Sequence, residues 1–240
     1  MQTLYSPSLG PARGIACETK YLISPEMADE IRAWARTNLE PDPNGLGPHA
    51  DAYDITTLYL DTPDFDVFRR QGSYARGKYR IRRYGESDTF FLERKLKVDG
   101  KVRKRRTRLP LPQLDTLHTA APDPAWSGYW YHRRMQARRL EPVCQLTYNR
   151  MARMAHSERG PIRLTMDDNI FATEARNFEF PPFVNPTRVH AERIILELKY
   201  VRPLPVAFTE LIVEFGLQPT TASKYREACT KLGLGVRQLA

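Results

Sequence analysis

The sequence is poor in the residues that build cross-links and metal cages. It has three cysteines, Cys17, Cys144 and Cys229, spaced far apart. An odd number without metal spacing argues against a disulfide framework or a thiolate metal site. Reduced core cysteines in a cytoplasmic protein are expected. The histidines, His49, His118, His132, His156 and His190, are dispersed without ligand spacing and read as surface or structural residues. No run of about 20 apolar residues is present, so no membrane span is expected. Residues 1–14 have no apolar stretch of the kind a signal peptide carries. Internal repeats, low-complexity segments and recognisable nucleic-acid motifs are also missing, and a nucleic-acid binder is not the expected class.

What remains is a chain of 240 residues, 41% hydrophobic, enough for a packed core. Lys and Arg number 37 against 28 Asp and Glu, a net charge of +9. That excess suits an acidic partner: nucleic acid, an anionic membrane surface or a phosphate-rich small molecule. Composition does not choose among them.

Along the chain, residues 1–14 read as a flexible arm, and residues 15–240 as a single domain. Strands are expected over residues 15–23, 54–60, 78–84, 89–98, 101–109, 142–155, 160–166 and 192–200, from β-branched, aromatic and alternating patterns. Asp99-Gly100 is a two-residue hairpin signal. Helices are expected after Ser24, which caps with Pro25 at the first position, and over 64–70, 125–138, 206–215 and 222–232. Strands joined mostly by hairpins, with helices between, predict an α+β fold whose antiparallel sheet curls or closes.

The informative signal is charge inside strands. Residues two apart share a strand face. Glu18 and Lys20 therefore point together, as do Arg80 and Arg82, Glu93 and Lys95, and Glu197 and Lys199. A two-residue turn at Asp99-Gly100 sets Lys95 opposite Lys104 and Glu93 opposite Arg106. Opposed lysines repel, so an anion between them is expected. The bland alternative is a solvated sheet face. Arg offers a planar fork for phosphate oxygens, Lys a point charge, and Glu hard oxygen ligands for Mg²⁺ or Mn²⁺. Trp126, Tyr129, Trp130 and Tyr131 read as an apolar helix face, with base stacking as the alternative. Arg133, Arg134, Arg138 and Arg139 read as a solvated face or an electrostatic funnel. Asp167 and Asp168 are either further metal ligands or, at Asp168-Asn169, a turn.

These motifs resemble the VTC domain, the polyphosphate polymerase branch of the triphosphate tunnel metalloenzymes. The matching segments are Glu18-Thr-Lys20-Tyr21, Tyr59-Leu-Asp61-Thr62-Pro63, Arg80-Ile-Arg82, Glu93-Arg-Lys95, Lys104-Arg-Arg106, Tyr148-Asn-Arg150, Arg163-Leu-Thr165-Met-Asp167, Glu197-Leu-Lys199 and Ser223-Lys224-Tyr225. The resemblance implies a closed eight-stranded antiparallel β tunnel with flanking helices. It implies that Lys20, Arg80, Arg82 and Arg163 serve the reaction, and that Lys95, Lys104, Arg106, Arg150, Lys199 and Lys224 hold triphosphate or polyphosphate. Glu197, with Glu18, would hold Mn²⁺ or Mg²⁺. The implied reaction moves the terminal phosphoryl group of ATP to polyphosphate, with no nucleic-acid partner. Oligomeric state is left open. Related triphosphatases begin Glu-x-Glu-x-Lys, and Ala16 stands where their first Glu would be, which favours the polymerase branch. A freestanding domain of this kind looks bacterial. An inorganic triphosphatase and a non-catalytic polyphosphate-binding module are the alternatives.

Overall fold

The computed structural model of the chain describes residues 16–98 and 101–235. The arm expected over residues 1–14 and the Asp99-Gly100 turn lie outside the described residues.

Strand β1 spans Ala16–Ile23 and leads into helix α1, Pro25–Asn38. As expected, Ser24 caps that helix, its Oγ accepting the Met27 N–H at 3.3 Å. Pro25 sits where a missing N–H costs nothing. The chain continues through β2 (Glu40–Pro41), β3 (Ala52–Asp61), α2 (Asp66–Arg69), β4 (Gly77–Tyr84), β5 (Thr89–Val98) and β6 (Lys101–Pro110). Then come α3 (Tyr129–Ala137), β7 (Glu141–Ser157), β8 (Gly160–Glu174), β9 (Thr187–Arg188) and β10 (Ile194–Val201). Helices α4 (Val206–Glu214) and α5 (Lys224–Lys231) follow.

The fold is α+β, with an antiparallel sheet and flanking helices. Among the described residues ten strands, not eight, share the sheet, in the order β1-β10-β8-β7-β3-β4-β5-β6, with β2 on β7 and β9 on β8. The two additional strands are two residues each, too short for a sequence pattern. Among the described residues no ladder joins β1 to β6.

Two expected boundaries move by four residues or more. Strand β8 runs on to Glu174, so Asp168-Asn169 lies inside a strand and not at a turn. Asn169, at φ 48°, takes the left-handed conformation there, which Asn tolerates better than most residues. Helix α3 starts at Tyr129, four residues later than expected, because Pro124 and Gly128 interrupt the pattern. Gly128 is needed where it is: a Cβ there would meet the Trp126 ring at 2.5 Å.

The chain divides into two compact units, one from residues 16–54, 148–170 and 190–222, the other from 55–147, 171–189 and 223–235. In the first, β1, β10 and β8 lie side by side, with Tyr21 opposite Leu196 and Leu196 opposite Met166. That face carries Ile23, Leu164 and Leu198 as well, and packs with Ile31 and Ala35 of α1 and Phe208 and Leu211 of α4 into one buried cluster. Burying a Leu or Ile side chain contributes about 1.5–3 kcal/mol, so this apolar face fixes the strand register. The alternate residues are thereby forced onto the opposite face.

In the second unit, β3, β4, β5 and β6 are neighbours. One face carries Leu58, Ile81 and Leu92, all fully buried. Tyr79 of that face meets the Tyr131 ring of α3 edge-on at 5.9 Å. The other face carries the charge.

Candidate functional site

The charged face of the second unit is built row by row. Tyr59, Arg80, Glu93 and Arg106 stand opposite one another across four strands. One row along are Thr57, Arg82 and Phe91. One row the other way are Lys78, Lys95 and Lys104. The opposition of Lys95 to Lys104 and of Glu93 to Arg106 is the expected register.

Glu93 is the acid at the centre and is 1% exposed. Arg80 donates to it at 2.7 Å, Lys104 lies at 3.1 Å and Arg106 at 3.0 Å. Burial alone would raise its carboxyl pKa. Arg80, Arg82, Lys104 and Arg106 outweigh burial and hold it well below the usual range. Lys104 feels the converse: burial, aided by Arg80 and Arg106, outweighs Glu93 and brings its ammonium down to about 8. Arg106 also donates to the Tyr84 hydroxyl at 3.1 Å. Burial opposes ionisation of that phenol, but Arg82, Arg106 and Lys104 lower it to about 8.

Helix α5 completes this face. Its N-cap Ser223 accepts from Lys78 Nζ at 2.8 Å, and Lys224, its first residue, is buried. Tyr225 stacks on Tyr59 with centroids 5.1 Å apart and donates to Asp61. Asp61 in turn accepts the backbone N–H groups of Thr62, Val67 and Phe68. Burial would raise the Tyr59 phenol, yet Arg80, Arg82, Lys78 and Lys224 together hold it below its usual value. Four cations therefore bias the electrostatics of one buried phenol.

In the first unit the register sets Glu18 opposite Lys199, Lys20 opposite Glu197, Glu197 opposite Thr165 and Lys199 opposite Arg163. Lys199 lies 3.0 Å from Glu197 and 3.9 Å from Glu18, and Lys20 lies 3.5 Å from Glu18. Glu197 is buried. Lys199, Lys20 and Arg150, with a hydrogen bond to Glu18, overcome that burial and keep its carboxyl well below the usual range. Arg150 is committed elsewhere, with Nε and Nη2 donating to Asp167 at 2.6 and 2.7 Å. Arg163 pairs with Asp42 at 2.7 Å and donates to Tyr53 at 2.8 Å. Asp168 pairs with Arg32 at 2.5 Å.

Among the described residues no cluster of three or more His, Cys, Asp and Glu is poised around one point. The donor set still suits Mg²⁺ or Mn²⁺ in the mode that uses one or two carboxylates and substrate phosphates. Glu18 and Glu197 are within hydrogen-bonding reach of each other. The buried Thr165 hydroxyl beside them has no hydrogen-bond partner. Asp167 is fully engaged by Arg150, which leaves it little capacity for a metal.

The predicted residues thus fall into two groups: Glu18, Lys20, Arg150, Arg163, Glu197 and Lys199 in one unit, and Arg80, Arg82, Lys95, Lys104, Arg106 and Lys224 in the other. Sequence reasoning passed over Lys78, Thr57, Tyr59 and Tyr84 as site residues. Lys78 was within reach of the alternation rule, being two residues before Arg80 on the same strand.

No protein among the curated sequences matches the chain. Solved structures do. A Bacillus halodurans protein, named provisionally as an adenylate cyclase, is 16% identical and aligns over 88% of this chain and 94% of its own, with a TM-score of 0.53. A Hippeastrum protein, also named provisionally as an adenylyl cyclase and described as having a dominant triphosphatase activity, is 15% identical. It aligns over 90% of this chain and 95% of its own, with a TM-score of 0.51. At these identities the likeness is one of fold. The sequence pattern described as the VTC domain matches residues 16–232, and the chain belongs to the VTC domain family.

Proposed function

We propose that this domain is a polyphosphate polymerase: it moves the terminal phosphoryl group of ATP onto a polyphosphate chain and releases ADP. The observation that carries this reading is the strand face on which Lys78, Arg80 and Arg82 alternate and Lys78, Lys95 and Lys104 stand opposite one another. One phosphate group does not need so many cations, but a run of linked phosphates does. Phosphoryl transfer asks for alignment and charge neutralisation more than for a covalent nucleophile.

In this reading Arg80, Arg82 and Arg163 hold the transferring group in line. Lys20 orients the attacking terminal phosphate of the acceptor. Lys95, Lys104, Arg106, Lys199 and Lys224 grip the chain, and Arg150, whose Nε and Nη2 are engaged by Asp167, completes the expected set. Glu197 and Glu18 hold Mn²⁺ or Mg²⁺, which when bound neutralises charge on the leaving diphosphate. The oxygen of the acceptor phosphate forms the new P–O bond as the bond to the ADP oxygen breaks. Closure of the sheet into a tunnel, with residues 15–240 as one domain, belongs to the same proposal. So does a cytoplasmic setting, which suits three free cysteines.

An inorganic triphosphatase is the second reading, favoured by the activity described for the Hippeastrum neighbour. Ala16, at the place of the first Glu in Glu-x-Glu-x-Lys, stands against it. Incubation with ATP and Mn²⁺ separates the two readings, since one yields long chains and ADP and the other orthophosphate. Glu197→Gln is expected to remove nearly all polymer. Equal polymer from the variant and the parent would take Glu197 out of the metal role, and orthophosphate alone would sink the polymerase.

A further inference from the structure

A second cationic surface lies on the opposite face of β5 and β6. Arg94 and Arg105 stand directly opposite one another there. Like charges in that position repel, and the fold offsets this with an aromatic ring. Arg105 lies over Trp130 of α3, 4.2 Å from the ring centroid, and Arg94 lies 5.7 Å from it. Trp130 is itself fixed by its Nε1–H donating to Thr107 Oγ1 at 2.8 Å. Arg103 is two residues from Arg105 on the same strand face. Arg133 and Arg134 are one helical turn beyond Trp130. Arg103, Arg105, Arg133 and Arg134 are exposed and Arg94 is half-buried.

The two faces of this sheet differ in how their charge is compensated. On the face described above, Glu93 takes three cations. Among the described residues, none of these five arginines has an ion-pair partner. A guanidinium stacked on an indole keeps its N–H edge directed away from the ring, preset for bidentate contact with an oxyanion.

We propose that this face is a second polyanion site that holds a linear inorganic polyphosphate chain. The aromatic rings decide the ligand class. A nucleic acid held on a protein surface gains much of its affinity by stacking bases on open aromatic faces. Here Arg105 covers Trp130, Arg133 lies over Tyr129 at 5.9 Å, and Arg138 lies over Tyr74 at 4.8 Å. The surface offers guanidinium edges in place of stacking platforms, which suits a polyanion without bases. The choice of polyphosphate rests on the proposed polymerase reading, in which such a chain is the product. The site itself stands on the arginine geometry.

The test compares fluorescently end-labelled long-chain polyphosphate with tripolyphosphate as ligands. One variant is the triple Arg103→Gln/Arg133→Gln/Arg134→Gln, which changes exposed residues and leaves the Trp130 stack in place. A second is Arg105→Gln. The triple variant is expected to bind long chains about tenfold more weakly and to lower the slope of log affinity against log salt by about 2, from roughly 0.7 per lost phosphate contact. Tripolyphosphate affinity and polymer formation from ATP are expected to stay at parent values. Unchanged long-chain binding and salt slope in both variants would overturn the site. Single-stranded RNA binding the parent more tightly than polyphosphate, and weakened by the same substitutions, would overturn the ligand. If the parent makes no polymer while the triple variant still loses long-chain binding, the polymerase reading fails and the site stands.

Discussion

Replacing Glu93 by Gln should move stability and ligand affinity in opposite directions. The side chain is 2% exposed and shares its two oxygens among Arg80, Lys104 and Arg106. Gln keeps the shape and one acceptor but removes the charge. Stripping one partner from a buried ion pair costs about 3–5 kcal/mol. Water reaches these cations, since the Arg80, Lys104 and Arg106 side chains are 21%, 45% and 18% exposed. Screening therefore lowers the expected loss to about 2–3 kcal/mol. The loss also has a pH signature. Glu93 titrates well below an ordinary carboxyl, so its contribution is complete above the unfolded value of about 4.3 and fades as pH falls through the folded pKa. The gap between parent and variant should be full at neutral pH and close in acid.

Ligand binding should go the other way, because Glu93 and a bound phosphate compete for the same cations. A unit negative charge about 7 Å from a phosphate repels it by about 2 kcal/mol at an effective dielectric of 20. With counter-ion screening about 1 kcal/mol remains, a gain of about fivefold in tripolyphosphate affinity for the variant. Urea unfolding followed from pH 7 down into the acid range below the ordinary carboxyl pKa, and calorimetric titration with tripolyphosphate, measure the two effects. A variant that loses stability and affinity together would refute the competition, and would make Glu93 a scaffold for the cations instead of their stand-in ligand.

The ammonium of Lys104 titrates near about 8, so tripolyphosphate affinity should fall as pH rises through that value and Lys104→Gln should flatten the profile. Tyr84 ionises in the same window, so Tyr84→Phe is measured alongside. Because the lysine pKa is depressed on folding, its protonated form opposes folding below about 8, and that opposition is relieved between about 8 and 10.4. Arg150→Ala leaves Asp167 charged and buried, and should cost about 3–5 kcal/mol in urea unfolding; a double variant with Asp167→Ala should cost less than the sum of the singles. Ala16→Glu restores the Glu-x-Glu spacing on β1, opposite Val201, and should raise orthophosphate release from tripolyphosphate relative to polymer from ATP. An unchanged product ratio would remove position 16 from the choice of reaction.

Much of the fold was legible because its rules are local. The cap at Ser24, the placement of Lys95 opposite Lys104 and the apolar alternation of β1 and β10 each follow from neighbours in sequence. The extension of β8 through Asp167–Glu174 was not, because Asp-Asp-Asn carries a turn composition that pairing overrode. Strands β2 and β9 hold two residues each, below the length at which alternation means anything. The candidate site was half legible for the same reason. Lys78 and the arginines after it lie on one strand, where counting by two suffices. Tyr59 entered the site through α5, whose Tyr225 is 164 residues from its hydrogen-bond partner Asp61. No periodicity reports a contact of that separation.

The acid-x-base repeats that first marked the strands also explain how such a sheet folds without its ligand. Charges on one strand face meet their neighbours across the ladder, and in both units the register sets an acid against a base. Glu93 lies between Arg80 and Arg106, Lys20 faces Glu197, and Glu18 faces Lys199. An all-cationic face would repel itself in every row, as the register does where it sets Lys78 opposite Lys95 and Lys95 opposite Lys104. A single buried carboxylate neutralises part of that repulsion and still leaves net positive charge, so the sheet holds together and keeps the charge that the proposed phosphate ligand requires. Too few acids would make folding depend on the ligand, and too many would fill the site. In the proposed reading the row of Lys78, Lys95 and Lys104, which sets three cations side by side, is where an incoming phosphate relieves most repulsion, and it lies beside Ser223 and Lys224 at the start of α5.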